Sequence, residues 1–165
     1  LMLLEALEAS LEFAGMQASV VEPDNHALHR ALPLDDALEG LLLQVEGEVL
    51  VFHERGAGPL PLRREVVLTR QGDFVQSLAA AVDNYLLASP QRELPGYLLL
   101  SGAGVADQHL PRQLQLRLGM DVRPANPFKH LVLPPCVEAR SLMAQAPCLA
   151  VACGLAMWEG ERCLA

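Results

Sequence analysis

A short apolar run, broken by two glycines and followed by a helix that closes on a third, constrains this chain more than any other feature. Residues 96 to 130 read GYLLLSGAGVADQHLPRQLQLRLGMDVRPANPFKH. Tyr97 to Leu100 has the length of a strand, and Ser101-Gly102-Ala103-Gly104 ends it. Leu110, Leu114 and Leu118 then repeat four apart on one helical face, and Gly119 stands where a left-handed cap belongs. Asp121 to Arg123 starts a further extended piece, and Asn126-Pro127 turns the chain. Strand, glycine turn, helix, strand is one α/β unit, and its glycines permit a close backbone approach.

The rest of the chain supplies what such a unit packs against. Leu41 to His53 predicts two strands around a turn at Glu46-Gly47, and Arg63 to Leu68 a third strand near a sheet edge. Asp73 to Ala88 is the clearest helix, with Asp73 as N-cap, Phe74, Leu78, Ala81, Val82 and Tyr85 at helical spacing, and Pro90 beyond its end. Leu98 to Leu100 is apolar without alternation, which predicts an interior strand with helices 73–88 and 110–118 packed on it. Arg55 to Pro61 and Gln91 to Pro95 read as connections. Val137 to Met143 reads as a short helix or turn, and Pro147 as the first position of a final helix reaching Trp158. Leu155, Met157 and Trp158 are expected in a core or an interface.

At the start, Leu4, Leu7, Leu11 and Ala14 make an apolar stripe with Glu5, Glu8 and Glu12 opposite, which predicts a helix over 3–14 ended by Gly15. Gln17 to Val21 is strand-like, and Pro23-Asp24-Asn25 predicts a turn leading into a helix over 26–32.

Composition narrows the function. Twelve basic against twenty acidic residues give a net charge of −8, which argues against nucleic acid and against an anionic membrane surface as direct partners. Hydrophobic residues make up 52% with only 4% aromatic, so the core is rich in Leu, Ala and Val, or apolar surface is left for a partner. No secretory signal is read at Leu1 to Leu4, and the apolar run Ala146 to Trp158 is too short to span a bilayer. Cys136, Cys148, Cys153 and Cys163 lack metal-ligand spacing and are expected as free thiols. His26, His29, His53, His109 and His130 are scattered without partners and are expected at the surface. Ser101 sits in Leu-Ser-Gly rather than Gly-x-Ser-x-Gly, so hydrolase chemistry is not expected.

Several motifs, in order, resemble the C-terminal part of PilM, an actin-like family of type IV pilus assembly. They are Leu98-Leu99-Leu100-Ser101-Gly102-Ala103, Arg117-Leu118-Gly119, Ala125-Asn126-Pro127-Phe128, and Ala146-Pro147-Cys148-Leu149-Ala150-Val151-Ala152-Cys153-Gly154-Leu155-Ala156. Upstream, Ala14-Gly15, Val20-Val21-Glu22-Pro23 and Ala27-Leu28-His29-Arg30-Ala31-Leu32 resemble the family's join between two large domains. The resemblance implies an α/β fold of the ribonuclease H-like, actin-like kind, a mixed sheet flanked by helices. It places 1–36 at the end of a first actin-like domain and 37–165 as the second, with a boundary near Pro33 to Asp36. Only Thr69 to Gly72 separates the third strand from the helix after it, so the family's helical insertion subdomain is lacking.

The resemblance also assigns candidate sites. An actin-like ATPase holds phosphate and magnesium on hairpins that offer an Asp and glycine-rich backbone, because magnesium keeps oxygen ligands and phosphate needs close N–H groups. The second such hairpin aligns with Leu43-Gln44-Val45-Glu46-Gly47, where the family shows V-D-I-G. Gln44 stands at the Asp position and Glu46 at the Gly position, so Gln44, Glu46 and Gly47 form a degenerate phosphate hairpin. Gly102, Ala103 and Gly104 form a vestigial nucleotide loop, and strand-Gly-x-Gly turns are also common where nothing binds.

The expectation is therefore a non-catalytic scaffold or adaptor with no catalytic residue, no metal and no cofactor beyond weak ATP binding. By the resemblance it is cytoplasmic and peripheral at the inner membrane, without inserting into it. Its implied partners are the cytoplasmic tail of a PilN-like bitopic protein and a pilus assembly ATPase, with a homodimer suggested by the apolar excess. The alternatives are a type II secretion adaptor like the cytoplasmic domain of GspL, and an actin-like ATPase.

Overall fold

The computed structural model describes residues 2–32, 40–54, 62–69, 72–88, 94–135 and 137–158. Helices α1 (Met2–Phe13) and α2 (Asp24–Ala31) lead into strands β1 (Gly40–Glu46), β2 (Val49–Glu54) and β3 (Leu62–Val67). Helix α3 (Phe74–Leu87), strand β4 (Tyr97–Ser101), helix α4 (Leu110–Leu118) and strand β5 (Asp121–Pro124) follow. Helices α5 (Ala139–Gln145) and α6 (Ala150–Ala156), joined by a 3-10 turn, Ala146–Leu149, are the last elements among the described residues.

The strands form one five-stranded mixed sheet in the order β3-β2-β1-β4-β5. β2 runs antiparallel to β1 and β3, whereas β4 runs parallel to β1 and β5. β4 is thus an interior strand, as its unbroken apolar run requires. Leu41, Leu43, Val45, Leu98 and Leu100 point to one face and share a core with Leu78, Val82 and Tyr85 of α3 and Leu110 and Leu114 of α4. The alternate residues Leu42, Tyr97 and Leu99 point to the other face, where Leu28 and Ala31 of α2 and Ala150 and Cys153 of α6 cover them. Both faces are covered, so β1 shows a continuous buried run from Leu41 to Val45 rather than alternation.

Local signals act where the sequence places them. The Asp73 carboxylate accepts the Gln76 amide proton at 2.6 Å, capping α3. Gly119 takes φ +68° and ends α4. β3 is an edge strand, with Arg63, Arg64 and Glu65 exposed, which discourages pairing with a further strand. β3 ends at Val67 and α3 begins at Phe74, too short a connection to hold a helical subdomain.

Some expectations are corrected. Gln17 to Val21 forms no strand: it is exposed and pairs with no strand among the described residues, because β-branched composition alone does not supply a sheet edge. The last helix does not begin at Pro147, which lies in the 3-10 turn; α6 starts at Ala150. His53 is fully buried and His29 half-buried, while His109 and His130 are exposed. α1 buries none of its residues. Of the two positions expected for Leu155, Met157 and Trp158, a core or an interface, the core is excluded, because all three are exposed.

The expected boundary near Pro33 to Asp36 and the connection over 55–61 lie outside the described residues, as do Cys136, Cys163 and most of the linker over 91–95. One helical stretch, Ala139–Ala156, is long and apolar enough to cross a membrane by length and composition. Its second half is engaged with α2, however, where Arg30 donates to the Gly154 carbonyl at 2.7 Å.

Candidate functional site

The parallel register pairs Gln44 with Ser101, so β1 and β4 end side by side. Beyond Ser101 the chain turns through Gly102 into a 3-10 turn, Ala103–Val105, which lies over the end of β1. The fold therefore brings the two expected segments, Gln44 to Gly47 and Gly102 to Gly104, to one place.

Their glycines are needed there for packing. Gly102 adopts φ +95°, and a Cβ on it would lie 2.5 Å from the Val45 carbonyl oxygen and 2.8 Å from Glu46 Oε1. A Cβ on Gly104 would overlap Cγ1 of Val45. Gly47 has a different reason: it takes φ +62° in the β1–β2 turn, with open space around it.

The loop's polar groups are also engaged within the chain. The Gly102 amide donates to the Pro147 carbonyl at 2.9 Å, and its own carbonyl accepts the Val105 amide at 3.2 Å. The Cys148 thiol lies 3.6 Å from the same carbonyl. A phosphate cradle needs amides aimed outward; here the Gly102 amide serves the turn that leads into α6.

Gln44 is buried and points to the α2 face of the sheet. Its carbonyl oxygen lies 3.0 Å from His53 Nε2, and its amide nitrogen donates to Glu46 Oε1 at 3.3 Å. An amide oxygen only accepts, so His53 must donate through Nε2–H, which leaves Nδ1 as the bare ring nitrogen. Burial first, and His29 on α2 second, its ring centroid 6.1 Å away, together hold the His53 pKa down at about 4. His53 is neutral at ordinary pH. His53 thus donates to Gln44 and Gln44 donates in turn to the Glu46 carboxylate, so the neutral imidazole–amide pair ends on an acceptor at the close of β1.

His53 is the residue that sequence reasoning missed. Leu42 pairs with His53 and Gln44 with Val51, so residues 42, 44, 51 and 53 share one face. That alternation was the available signal, but only α2 makes the face an interior. Ser101 is fully buried beside Gln44, and its hydroxyl has no hydrogen-bond partner among the described residues. Among the described residues no group of three or more His, Cys, Asp or Glu is placed to hold a metal ion.

A second polar feature locks the helical layer. Arg30 of α2 makes a bidentate pair with Glu22, at 2.7 and 2.8 Å, while also holding the Gly154 carbonyl. The Arg30 hydrogen bond keeps the Glu22 carboxyl below the usual carboxylate range. Directly beneath, a Cβ on Gly154 would collide with the Ala27 carbonyl, so α2 and α6 cross with backbone against backbone.

This sheet order, with helices on both faces, defines an actin-like domain. It superposes with TM-score 0.72 and 20% identity on a chain of a solved "PilM-PilN type IV pilus biogenesis complex", covering 93% of this chain and 56% of that one. It also matches the ethanolamine utilization protein EutJ from Carboxydothermus hydrogenoformans, with TM-score 0.57, 14% identity, and coverage of 94% and 60%. The profile of the family described as "Type IV pilus assembly protein PilM" matches residues 55–159, and the chain belongs to that family. It spans somewhat more than half the length of the solved chains it resembles.

Proposed function

We propose that this chain acts in type IV pilus assembly as a non-catalytic scaffold. In this reading it sits at the cytoplasmic face of the inner membrane, held there by the short tail of a PilN-like bitopic protein, and links the membrane platform to the assembly ATPases. Membership of the PilM family supports the pilus role, and the solved complex pairs a family member with PilN.

The observation that carries the non-catalytic part is the Gln44–His53 hydrogen bond at 3.0 Å. Phosphoryl transfer depends on positioning and charge neutralisation. A neutral amide, tied to a neutral imidazole, is a poor magnesium ligand. The Glu46 carboxylate beside Gly102 repels phosphate, and the Gly102 amide is already committed to Pro147. ATP then binds weakly at most and without magnesium dependence.

The test of the scaffold role is binding of the chain to the cytoplasmic tail of the PilN-like protein from the same source, with a scrambled tail as control. Saturable binding to the native tail alone is expected. Equal binding to both tails, or none to either, contradicts this reading.

A further inference from the structure

We propose that α6 is a strut that couples the segment before α2 to the glycine turn at the ends of β1 and β4. Arg30 ties its last turn to Glu22, and the Gly102 amide is bonded to the 3-10 turn that leads into it, so a shift at either end reaches the other. The inference is independent of the scaffold reading.

At the C-terminal end of α6 the Met157 amide goes to the Cys153 carbonyl and the Trp158 amide to the Leu155 carbonyl. The carbonyl between them, that of Gly154, takes no main-chain donor among the described residues, as is usual in the last turn of a helix. Arg30 Nη1 supplies the donor at 2.7 Å, and a cation there also suits the helix dipole. Nη1 and Nη2 of the same side chain hold the two Glu22 carboxylate oxygens at 2.8 and 2.7 Å. One guanidinium therefore caps α6 and anchors residue 22 at once, and its rigid fork cannot keep both partners once either has moved.

The other end is bound as closely. Helical turns run without interruption from Ala146 to Ala156, a rise of roughly 11 Å between Pro147 and Gly154 at about 1.5 Å per residue. The Pro147 carbonyl accepts the Gly102 amide at 2.9 Å, and the Cys148 thiol lies 3.6 Å from the Gly102 carbonyl. The glycine turn is thus held on its amide side and its carbonyl side by the start of the strut.

The strut responds because it is short. A seven-residue helix has almost no stability of its own; Ala150 and Cys153 pack it against α2 and the sheet, and the bonds at its two ends do the rest. Two seatings follow. In one, Arg30 caps the last turn. In the other, Arg30 has followed Glu22, the last turn takes its donor from water, and the Pro147 carbonyl holds the Gly102 amide less firmly.

The experiment is amide hydrogen exchange by NMR on the whole 165-residue chain, comparing Gly102 with the interior strand β1. In Arg30→Met the protection of Gly102 falls by about tenfold or more relative to β1, the scale of one charge-assisted hydrogen bond. Glu22→Gln, which keeps the shape but loosens Arg30, moves it the same way by less. Arg117→Met, which breaks an exposed pair with Asp73 at 3.3 Å, leaves it unchanged. Coupling is reciprocal, so Gly102→Ala moves the Glu22 carboxyl titration up toward the ordinary range in the folded chain, as read by carboxyl NMR. Gly102 and β1 losing protection by the same factor in Arg30→Met would overturn the proposal, because Arg30 would then serve general stability alone. So would a Glu22 titration indifferent to Gly102→Ala, or an Arg117→Met effect at Gly102 equal to that of Arg30→Met.

Discussion

His53 and Gln44 face each other across β2 and β1, imidazole Nε2 to amide oxygen at 3.0 Å, on the sheet face that α2 covers. The pair is neutral, buried and covered by α2. Its first consequence is a pH dependence of stability. The folded-state pKa of His53 is about 4 against 6.5 for the free side chain, so below 6.5 the unfolded chain takes up a proton that the folded chain refuses. Stability contributed by this site is complete above that value and is lost progressively down to about pH 4. The loss reaches roughly 3 kcal/mol, at about 1.4 kcal/mol for each tenfold difference in proton affinity. Urea unfolding at neutral pH and near pH 4.5 measures it. A His53→Met variant should lose less stability on acidification than the unmodified chain, and the difference between the two isolates the histidine from the carboxylates.

The glycines of the 102–104 turn make a second prediction, independent of any ligand. Gly102→Ala forces a side chain into the left-handed region and against the Val45 carbonyl, which costs about 2–4 kcal/mol. Gly47→Ala has a similar φ but open space around it, and costs roughly 1 kcal/mol. Chemical denaturation without nucleotide reads both. Equal small losses would mean that the turn does not pack on β1.

Gly154 carries a third. Its Cα meets the Ala27 backbone where α6 crosses α2, and a backbone carbonyl cannot swing aside as a side chain can. Gly154→Ala should therefore cost at least about 3 kcal/mol and lower the thermal midpoint by roughly 6–12 °C or more, the scale for a domain of this size. Arg30→Met tests the same layer from its polar side. It releases both Glu22 and the Gly154 carbonyl, so the Glu22 carboxyl should titrate closer to its ordinary value, as read by carboxyl NMR.

These contrasts show which parts of the molecule can be read from local sequence. The unit from Tyr97 to Pro124 is legible because each step has its own signal: an apolar run, a glycine pair, leucines at helical spacing and Gly119 as cap. The capped helix after Asp73 is legible for the same reason. Gln17 to Val21 misleads because a strand needs an edge to join, which no local pattern reveals. His53 misleads because its burial depends on α2, more than twenty residues upstream. The candidate site divides similarly. Family motifs bring Gln44, Glu46, Gly102 and Gly104 into view, but only the fold shows that Val45 and Pro147 account for the glycine turn. The stripe on α1 reads as the inner face of a packed helix, yet that face is bare, since a stripe records that a face is apolar and not what covers it.

If Gln44 and Glu46 occupy the expected hairpin positions, a double substitution tests whether those two residues alone keep this site from phosphoryl transfer. Gln44→Asp with Glu46→Gly brings back a carboxylate and removes the repelling one, but leaves the Gly102 amide bonded to Pro147. The double variant should remain without magnesium-dependent turnover. Its new carboxylate, buried in place of the Gln44 amide and facing neutral His53, should lower stability by about 1–3 kcal/mol. Denaturation and phosphate-release assays on the same preparation read the two effects together.

The most direct measurement is ATP turnover by the unmodified chain with and without magnesium, alongside calorimetric titration of the nucleotide. The account predicts no phosphate release above buffer, and binding that is weak and indifferent to magnesium. Magnesium-dependent turnover that disappears in Gln44→Ala would contradict it, because it would make Gln44 a working part of a catalytic site.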